Sequence, residues 1–404
     1  MTGPILDISR LISRVRYSTP SGVDRVEMAY ARGLSRIYGE ALAFAAVHPS
    51  GIYGRLPRAA ALAYLDELER RWSHEGQAER RMLSPSVARW MARLAPVRSG
   101  IGSGGVYVQV SPHHLTRERQ VRHILAREKA RFVCMVHDLV PIEYPEYARP
   151  GGAALHERRM ETVARLADTV IVNSAATGDS FARWAEGCGM APPPIHVALL
   201  GTEPVAEAAP APSPDGRPYF LCLGTIEPRK NHLLLLHLWR RMAESLPAEA
   251  VPRLVVVGRR GWENEQIVDL LDRCPALSPH VAEVNTCPDR ELAGLIRGAR
   301  ALVMPSFAEG YGMPVAEALS VGTPVIASDL PAHREVGGPV PDFLDPLDGP
   351  GWQAAILDHA ARGPLHAAQV ARVPQRPALD WDTHMAIAAK VIDGAMPGSA
   401  DLNV

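Results

Sequence analysis

This sequence of 404 residues has few cysteines, no long apolar runs and no strong net charge. Its five cysteines are scattered and never form a CxxC pair, which argues against a disulfide framework or zinc site and fits a reducing cytosol. Apolar runs such as Ala41–Val47 fall far short of the roughly 18 residues that cross a membrane. The N-terminal MTGPILDISRLISRVR has no apolar stretch after its charges, so a secretory signal is not expected.

Charge is balanced overall but unevenly distributed. The net charge of -1 gives no global field that would attract nucleic acid, so no nucleic-acid partner is predicted. Residues 1–204 carry 26 Lys and Arg against 20 Asp and Glu, whereas the remaining residues carry 17 against 24. A basic front half indicates that this half faces something anionic.

No nucleotide-binding or metal-binding signature of the common kinds is present. The sequence lacks GxxxxGK[ST], and no group of His, Cys, Asp and Glu has the spacing of a metal site. Asp380-Trp381-Asp382 resembles a metal-binding DxD, but it precedes the helical segment His384–Ile392, so Asp380 is predicted to cap that helix. No catalytic metal is expected.

The chain divides at Pro204–Pro218, a stretch rich in Pro and Ala that is predicted to be a linker. On each side, short apolar runs alternate with helix-length segments, which is typical of a parallel sheet covered on both faces. The sequence therefore predicts an α/β protein with two doubly wound Rossmann-like domains, 1–204 and 205–380, and helix 381–404 as a candidate addition to the first. The predicted strands are Pro4–Ile8, Ala41–Val47, Val106–Val110, Arg131–Val136, Thr169–Val172, His196–Leu200, Tyr219–Gly224, Arg253–Gly258, His280–Asn285, Ala301–Ser306 and Pro324–Ser328.

A glycine-rich turn joins a strand to a helix in PSFAEGYGMPVAEALSVGTPVIAS, residues 305–328. Glu309 precedes the turn Gly310–Gly312, and Glu317 follows on the helix. The glycines let backbone N–H groups approach a ligand, and two carboxylates can accept hydrogen bonds from the hydroxyls of a sugar or ribose. A plain strand–turn–helix, with Glu309 as a cap and Glu317 solvated, fits the spacing equally well.

The segment LGTIEPRKNH places Arg229 and Lys230 where a strand ends and a helix begins. Two cations at a helix N-terminus oppose the helix dipole, which is unfavourable unless an anion joins them. A diphosphate would satisfy both cations and the free N–H groups. The alternative is a solvated basic turn.

Two weaker motifs lie in the front half. Ser21-x-x-Asp24 resembles a capping box, and Gly22 at its entry would let the backbone approach a phosphate. A capped helix without a ligand is the simpler interpretation. His137 and Asp138 follow an apolar strand, where an active site would lie, although a histidine in that position is more often structural.

Residues 55–98 are rich in Arg and Ala and predict helices inserted in the front domain. Within them, Ser86–Arg98 forms an amphipathic pattern in which Trp90 and Leu94 share an apolar face flanked by Arg89 and Arg93. A basic helix that bears Trp can lie in a bilayer interface and be attracted to anionic lipid. The alternative is that this apolar face packs on the front domain.

Taken in order, these motifs resemble the retaining glycosyltransferases of family 4, which have the GT-B fold of two Rossmann-like domains facing a central cleft. Within that group they resemble a bacterial mannosyltransferase-like branch that builds O-antigens and exopolysaccharides. The Glu-x7-Glu spacing of Glu309 and Glu317 is the most specific feature, and residues 48–105 have no counterpart. The matching segments are SGVDRV, VHDLVPIEYPEY, TVIVNS, LGTIEPRKNH, VVVGRRGW, ALVMPSFAEGYGMPVAEALSVGTPVIASD and HREVGG.

The resemblance implies donor-contacting roles for the matching residues. Many family members place the arginine several residues before the lysine, at the position of Thr225 here, so the division of tasks between Arg229 and Lys230 is open. Those two, with Glu309 and His137, are the expected catalytic residues. The sugar would be contacted by Glu309, Gly310, Tyr311, Gly312 and His137, the ribose by Glu317, the diphosphate by Arg229 and Lys230 with the backbone of Gly22 and Val23, and the nucleobase by Gly258, Asn285 and Thr286.

The function expected from the sequence is a cytoplasmic, metal-independent, anomer-retaining hexosyltransferase of bacterial surface polysaccharide synthesis. The nucleotide-sugar donor, with GDP-mannose as the first candidate, would bind the back domain. A glycan or lipid-linked glycan acceptor would bind the front domain, with a candidate peripheral contact to an anionic membrane. A sugar-nucleotide epimerase of the same fold and a non-catalytic sugar-binding protein are the alternatives.

Overall fold

The computed structural model describes residues 3–16, 20–48, 51–73, 83–97, 102, 104–202, 208–213 and 215–396. The chain forms two compact units. The first consists of Met1–Ile142, Gly151–Gly201 and Asp380–Val404, and the second of Glu143–Pro150 and Thr202–Leu379. Each unit is built on its own sheet.

The first unit contains a seven-stranded sheet in the order β3-β2-β1-β4-β5-β6-β7. All neighbouring strands are parallel except β3, which pairs antiparallel with β2 at the edge. The central strands are fully buried and mostly apolar, as expected for a sheet covered on both faces. The strands are β1 (Pro4–Asp7), β2 (Ala43–Val47), β3 (Tyr53–Arg55), β4 (Gly105–Gln109), β5 (Ala130–Val136), β6 (Thr169–Val172) and β7 (Ile195–Val197).

The second unit contains a six-stranded parallel sheet in the order β10-β9-β8-β11-β12-β13. Its core packs Trp239 and Trp352 with the side chains of the central strands. Both sheets are doubly wound, as the sequence predicts. The strands are β8 (Tyr219–Leu223), β9 (Arg253–Val257), β10 (Val281–Val284), β11 (Ala301–Met304), β12 (Val325–Ser328) and β13 (Asp342–Leu344).

Helices cover both sheets. In chain order they are α1 (Ser9–Ser13), α2 (Gly22–Tyr38), α3 (Arg58–Ser73), α4 (Leu83–Arg93), α5 (Glu118–Glu128), α6 (Val140–Glu143), α7 (Gly152–Leu166), α8 (Ala175–Gly187), α9 (His232–Ser245), α10 (Glu265–Arg273), α11 (Asp289–Gly298), α12 (Met313–Ser320), α13 (Pro331–Gly337), α14 (Gly349–Ala361), α15 (Pro364–Arg372) and α16 (Trp381–Gly394).

The last helix, α16, returns to the first unit and packs on α2. His384 Nε2 lies 2.9 Å from the hydroxyl of Tyr30, and the Tyr38 hydroxyl donates to Asp393. Asp380 caps the helix by accepting a hydrogen bond from the Thr383 backbone at 2.7 Å. The prediction that Asp380 is a cap is therefore confirmed.

One segment differs from the predicted domain bounds, and the predicted linker is described only in part. Glu143–Pro150, placed by the prediction in the first domain, belongs to the second unit, where the Trp262 indole donates to the carbonyl oxygen of Tyr147 at 2.9 Å. Part of the predicted linker, residues 204–207 and 214, lies outside the described residues. Ala211, within the described part, is held against α11 because its N–H donates to Gly294 at 2.8 Å.

The apolar face of α4 is used inside the first unit. Trp90 is 5% exposed and Leu94 is fully buried, and the Trp90 ring contacts Tyr64 of α3 edge to face. The alternative in which this face packs on its own domain is therefore the one observed, and insertion of Trp90 into a bilayer is not supported. Among the described helices, none combines the length and hydropathy needed to span a bilayer.

Two glycines allow the ends of β8 and β9 to touch. A Cβ atom on Gly258 would lie 1.8 Å from the carbonyl oxygen of Gly224. Gly224 itself has φ 137°, a conformation open mainly to glycine, and a Cβ there would lie 3.2 Å from Cε of Lys230. This close approach requires a glycine at position 258, independently of the predicted contact with a nucleobase.

The Gly258→Ala substitution is expected to destabilise the second unit by about 1–3 kcal/mol, because the new methyl group meets backbone that is fixed by the sheet. Gly349→Ala is the matched control, since a Cβ there would meet only side-chain atoms at 3.7 Å and beyond. Thermal unfolding of the two variants measures the difference. Equal melting temperatures for Gly258→Ala and the wild type would contradict this packing.

Candidate functional site

The charged residues of the second unit meet where its strand order reverses. The sheet grows outward in one direction from β8 and in the other from β11, so these neighbours form the switch point. In doubly wound sheets, ligands bind beyond the carboxyl ends of the strands at this point. Arg229 and Lys230 follow β8, and Glu309 follows β11, so residues about 80 positions apart in sequence become neighbours.

Glu309 lies between the two cations. Its Oε2 accepts a hydrogen bond from Nη1 of Arg229 at 2.7 Å, and its Oε1 accepts one from Nζ of Lys230 at 2.5 Å. Ser306 donates to the same Oε1 at 2.8 Å, and Glu227 pairs with Nε of Arg229 at 2.7 Å. The anion that the two cations require is thus supplied, within the second unit, by the protein itself.

Burial and charge oppose each other at this cluster. Burial by itself would raise the pKa of Glu309, but the charges of Arg229 and Lys230 outweigh it and hold that pKa well below its usual range. Glu309 therefore stays ionised at neutral pH. Burial raises the pKa of Glu227, although Arg229 and Lys230 counteract the effect.

Two helix N-termini border the cluster. The helix α9 begins at His232, directly after Lys230 and Asn231, and α12 begins at Met313 after Gly312. In neither helix does the side chain of the N-cap residue cap the first turn. The first N–H groups and the positive ends of both dipoles can therefore act on an anionic ligand.

His333 of α13 lies against the glycine turn. Its Nδ1 is 2.9 Å from the carbonyl oxygen of Ser328, which fixes the proton on Nδ1 and leaves Nε2 as an acceptor. Nε2 is buried and has no hydrogen-bond partner in the described structure. Burial lowers the pKa of His333, so the ring is neutral at neutral pH. A Cβ on Gly312, which has φ 105°, would lie 2.9 Å from the His333 ring.

The other predicted donor contacts of the second unit are spread along the same edge. Glu317 is half-buried on α12, four residues beyond its N-terminal residue, and Tyr311 is buried beside Gly310. Gly258, Asn285 and Thr286 follow β9 and β10, and the last two are exposed. The amide of Asn285, oriented to satisfy its neighbours, donates to the carbonyl oxygen of Gly258 at 3.2 Å.

The predicted residues of the first unit lie at the carboxyl edge of its own sheet. Gly22 and Val23 form the first turn of α2, and the capping box of Ser21 and Asp24 is confirmed. His137 follows β5, and its Nε2 lies 2.7 Å from the carbonyl oxygen of Val110. Burial lowers the pKa of His137, which favours the neutral ring.

Several residues of the cluster escaped the sequence analysis. Ser306 and Glu227 bind the charged groups directly, and His333 lies within HREVGG, which was noted only as part of the resemblance. Tyr147 stacks on Phe307 with ring centroids 5.8 Å apart, which brings an aromatic pair next to the loop of Glu309. Ser306 and Phe307 lie just beyond the end of β11, but this position does not show which residues they contact.

The described residues contain no group of three or more His, Cys, Asp or Glu side chains placed to hold a metal ion. The expectation of a metal-independent enzyme stays a prediction. The positive charges that the site offers to a diphosphate are those of Arg229 and Lys230. All five cysteines are free thiols.

Comparison with known proteins shows which families and structures the chain is similar to. Residues 206–339 match the model of the group 1 glycosyl transferases. This match lies within the second unit and covers about a third of the chain. The chain is 29% identical over 243 residues to the serotype-specific mannosyltransferase WbdA of Escherichia coli, and 38% identical over 141 residues to the O-antigen chain mannosyltransferase B of the same species. The resemblance inferred from the motifs is confirmed.

These matches cover only part of each protein. They span 55% and 34% of this chain and 29% and 36% of the two relatives. The chain therefore spans about a third of the length of these two relatives, and its activity, donor and acceptor are matters for a proposal.

Solved structures show the same architecture over nearly the whole chain. Anabaena HepE, determined with UDP and glucose, superimposes with a TM-score of 0.63 and 15% identity, covering 98% of this chain and 100% of that one. The sucrose-phosphate synthase of Thermosynechococcus elongatus gives a TM-score of 0.62 and 18% identity, covering 97% and 98%. The predicted GT-B fold, with two Rossmann-like domains, is confirmed.

Proposed function

We propose that this protein is a retaining hexosyltransferase that moves mannose from GDP-mannose to a glycan or lipid-linked glycan in bacterial surface polysaccharide synthesis. The cluster of Arg229, Lys230 and Glu309, at the switch point of a group 1 glycosyl transferase domain, carries the proposal. The names of two relatives, both mannosyltransferases, support mannose as the sugar.

The chemistry follows from charge. As the bond between the sugar and the diphosphate breaks, negative charge grows on the diphosphate and positive charge on the sugar ring. Arg229 and Lys230, aided by the N-termini of α9 and α12, stabilise the diphosphate, and such preorganised stabilisation is usually the largest contribution to catalysis. The acceptor hydroxyl attacks from the same face, and its proton passes to the leaving phosphate oxygen, so the anomeric configuration is retained without a metal.

Glu309 has a second task in this proposal. In the structure Glu309 accepts the hydrogen bonds of Arg229 and Lys230 that a diphosphate would need. Binding of the nucleotide sugar therefore requires these two cations to leave Glu309 for the diphosphate or to bind both. Once the cations turn to the diphosphate, the carboxylate can accept hydrogen bonds from the sugar hydroxyls. The neutral Nε2 of His333 offers one further acceptor beside Gly312.

A panel of GDP-, UDP- and dTDP-sugars tests the donor. A tight donor at 100 times its dissociation constant adds about 2.7 kcal/mol of stability, which thermal unfolding detects, and GDP-mannose is expected to give the largest increase. Transfer from GDP-mannose to glycan acceptors, with the product anomer assigned by NMR, tests the reaction in the presence and absence of a chelator.

The same assays separate the two alternatives. An epimerase would release an altered free sugar or nucleotide sugar without any acceptor. A sugar-binding protein would bind without releasing nucleoside diphosphate. Either result, or inversion at the anomeric carbon, would contradict the proposal.

A further inference from the structure

The guanidinium group of Arg229 is held by two carboxylates. Its Nε pairs with Oε1 of Glu227 at 2.7 Å, and its Nη1 donates to Oε2 of Glu309 at 2.7 Å and to the carbonyl oxygen of Ala308 at 2.9 Å. Glu227 is buried more deeply than Glu309, with 3% of its side chain exposed against 7%. The proposed function assigns Glu309 to the sugar hydroxyls once the donor binds, so Glu227 is then the carboxylate that still holds Arg229.

The neighbouring residues fix the backbone of Glu227 on both sides. The N–H of Ile226 donates to the carbonyl oxygen of Arg259 at 2.9 Å, and the Ile226 carbonyl oxygen accepts from the side-chain amide of Asn264 at 3.0 Å. A residue before proline favours the extended conformation, and Glu227, before Pro228, has φ -144° and ψ 158°. Because its side chain is buried as well, Glu227 has little freedom to follow a ligand.

A carboxylate at this position opposes the binding of a diphosphate, because like charges repel. Burial also disfavours its ionised form and raises the pKa of Glu227, although the charges of Arg229 and Lys230 counteract that effect. The contact with Nε of Arg229 is the gain that offsets these two costs. A charge-assisted hydrogen bond to one nitrogen of a planar guanidinium group also sets the direction of the other two.

We propose that Glu227 is a positioning residue, which holds Nε of Arg229 so that the Nη groups face the diphosphate after Glu309 has released them. It contacts neither the donor nor the acceptor and acts through the arginine. This inference rests on the proposed function, because it concerns the orientation of a cation that stabilises the leaving diphosphate.

The test compares two substitutions that change the carboxylate in opposite ways. Glu227→Gln keeps the length of the side chain and one acceptor oxygen but loses the charge, whereas Glu227→Asp keeps the charge and is one methylene shorter. Glu227→Asp is expected to lower kcat for sugar transfer about 10- to 100-fold and to change the donor KM less than about threefold, because a displaced arginine mainly loses contact with the transition state. Glu227→Gln is expected to lower kcat less than about fivefold.

The order of the two variants decides between positioning and simple neutralisation. A kcat that falls more in Glu227→Gln than in Glu227→Asp would mean that Glu227 only balances the charge of Arg229, and would overturn the proposal. Wild-type kcat in both variants would overturn it as well. Glu249→Ala, which removes an exposed carboxylate from the same unit, is the control and is expected to match the wild type.

A double-mutant cycle shows whether Glu227 acts through Arg229. In the Arg229→Ala background, Glu227→Asp is expected to have no further effect on kcat, because the group that it positions is absent. Losses that add in the double variant would show that Glu227 acts on its own or through the fold, and would contradict the proposal. Thermal unfolding of the four proteins in the cycle accompanies the kinetics.

One readout does not depend on sugar transfer. With inorganic pyrophosphate bound, the Nε proton of Arg229, assigned by NMR against Arg229→Ala, is expected to exchange with water about tenfold more slowly in the wild type than in Glu227→Asp. Slow exchange that depends on Glu227, in a protein that transfers no sugar, would support the positioning role and refute the transferase. Sugar transfer with equal exchange in the two proteins would refute the positioning role and leave the transferase standing.

Discussion

Replacing Lys230 by alanine is expected to lower the rate of sugar transfer by about 10²- to 10³-fold, or roughly 3–4 kcal/mol. Only 9% of the Lys230 side chain is exposed, so solvent screens its charge weakly. Charge accumulates on the diphosphate as the glycosidic bond breaks, and the contact is therefore stronger in the transition state than in the ground state. Initial rates at saturating donor and acceptor measure the loss, and Arg229→Ala is expected to behave alike.

Arg241→Ala is the control for this prediction, because it removes an exposed positive charge from α9 and is expected to keep full activity. Thermal unfolding of each variant is needed as well, since Lys230→Ala leaves Glu309 with one cation instead of two. Wild-type rates in both Lys230→Ala and Arg229→Ala would refute the assignment of the diphosphate site.

Replacing Glu309 by glutamine is expected to have opposite effects on catalysis and on product binding. The carboxylate neutralises Arg229 and Lys230 in the structure and competes with any diphosphate for them. Without that charge, nucleoside diphosphate should bind about tenfold more tightly. Turnover should fall about 100-fold, because the carboxylate no longer accepts hydrogen bonds from the sugar as its ring flattens.

Glu317→Gln separates the two carboxylates. Its proposed contact with the ribose exists before and during the reaction, so this variant is expected to weaken nucleotide binding and to change kcat little. Calorimetry with nucleoside diphosphate and steady-state kinetics give both quantities for the two variants. Tighter binding in Glu317→Gln, or weaker binding in Glu309→Gln, would contradict these roles.

Most of the fold could be predicted from the sequence because the buried parallel strands are largely continuous apolar runs. The predicted strands Thr169–Val172 and Pro324–Ser328 agree with β6 and β12 to within one residue at each end. The edge strands β3 and β13 were missed, since three residues leave little pattern. Glu143–Pro150 belongs to the second unit through contacts such as the stacking of Tyr147 on Phe307. A local sequence pattern does not encode such long-range contacts.

The sequence predicts the individual charged residues of the site but not which of them are in contact. Arg229 and Lys230 require an anion, as the sequence predicts, and in the structure that anion is Glu309. Their pairing follows from β8 and β11 being neighbours, a long-range feature that the strand order, once known, makes plain.

The most direct test of the account measures what the second phosphate contributes to nucleotide binding. Calorimetry would compare GMP with GDP, for the wild type and for Arg229→Ala/Lys230→Ala, at fixed salt and pH. Two charge-assisted contacts predict that the wild type binds GDP about 100-fold more tightly than GMP. The double variant should lose that difference and keep its affinity for GMP. A double variant that still prefers GDP to the same degree would contradict the assignment of Arg229 and Lys230 as the diphosphate site.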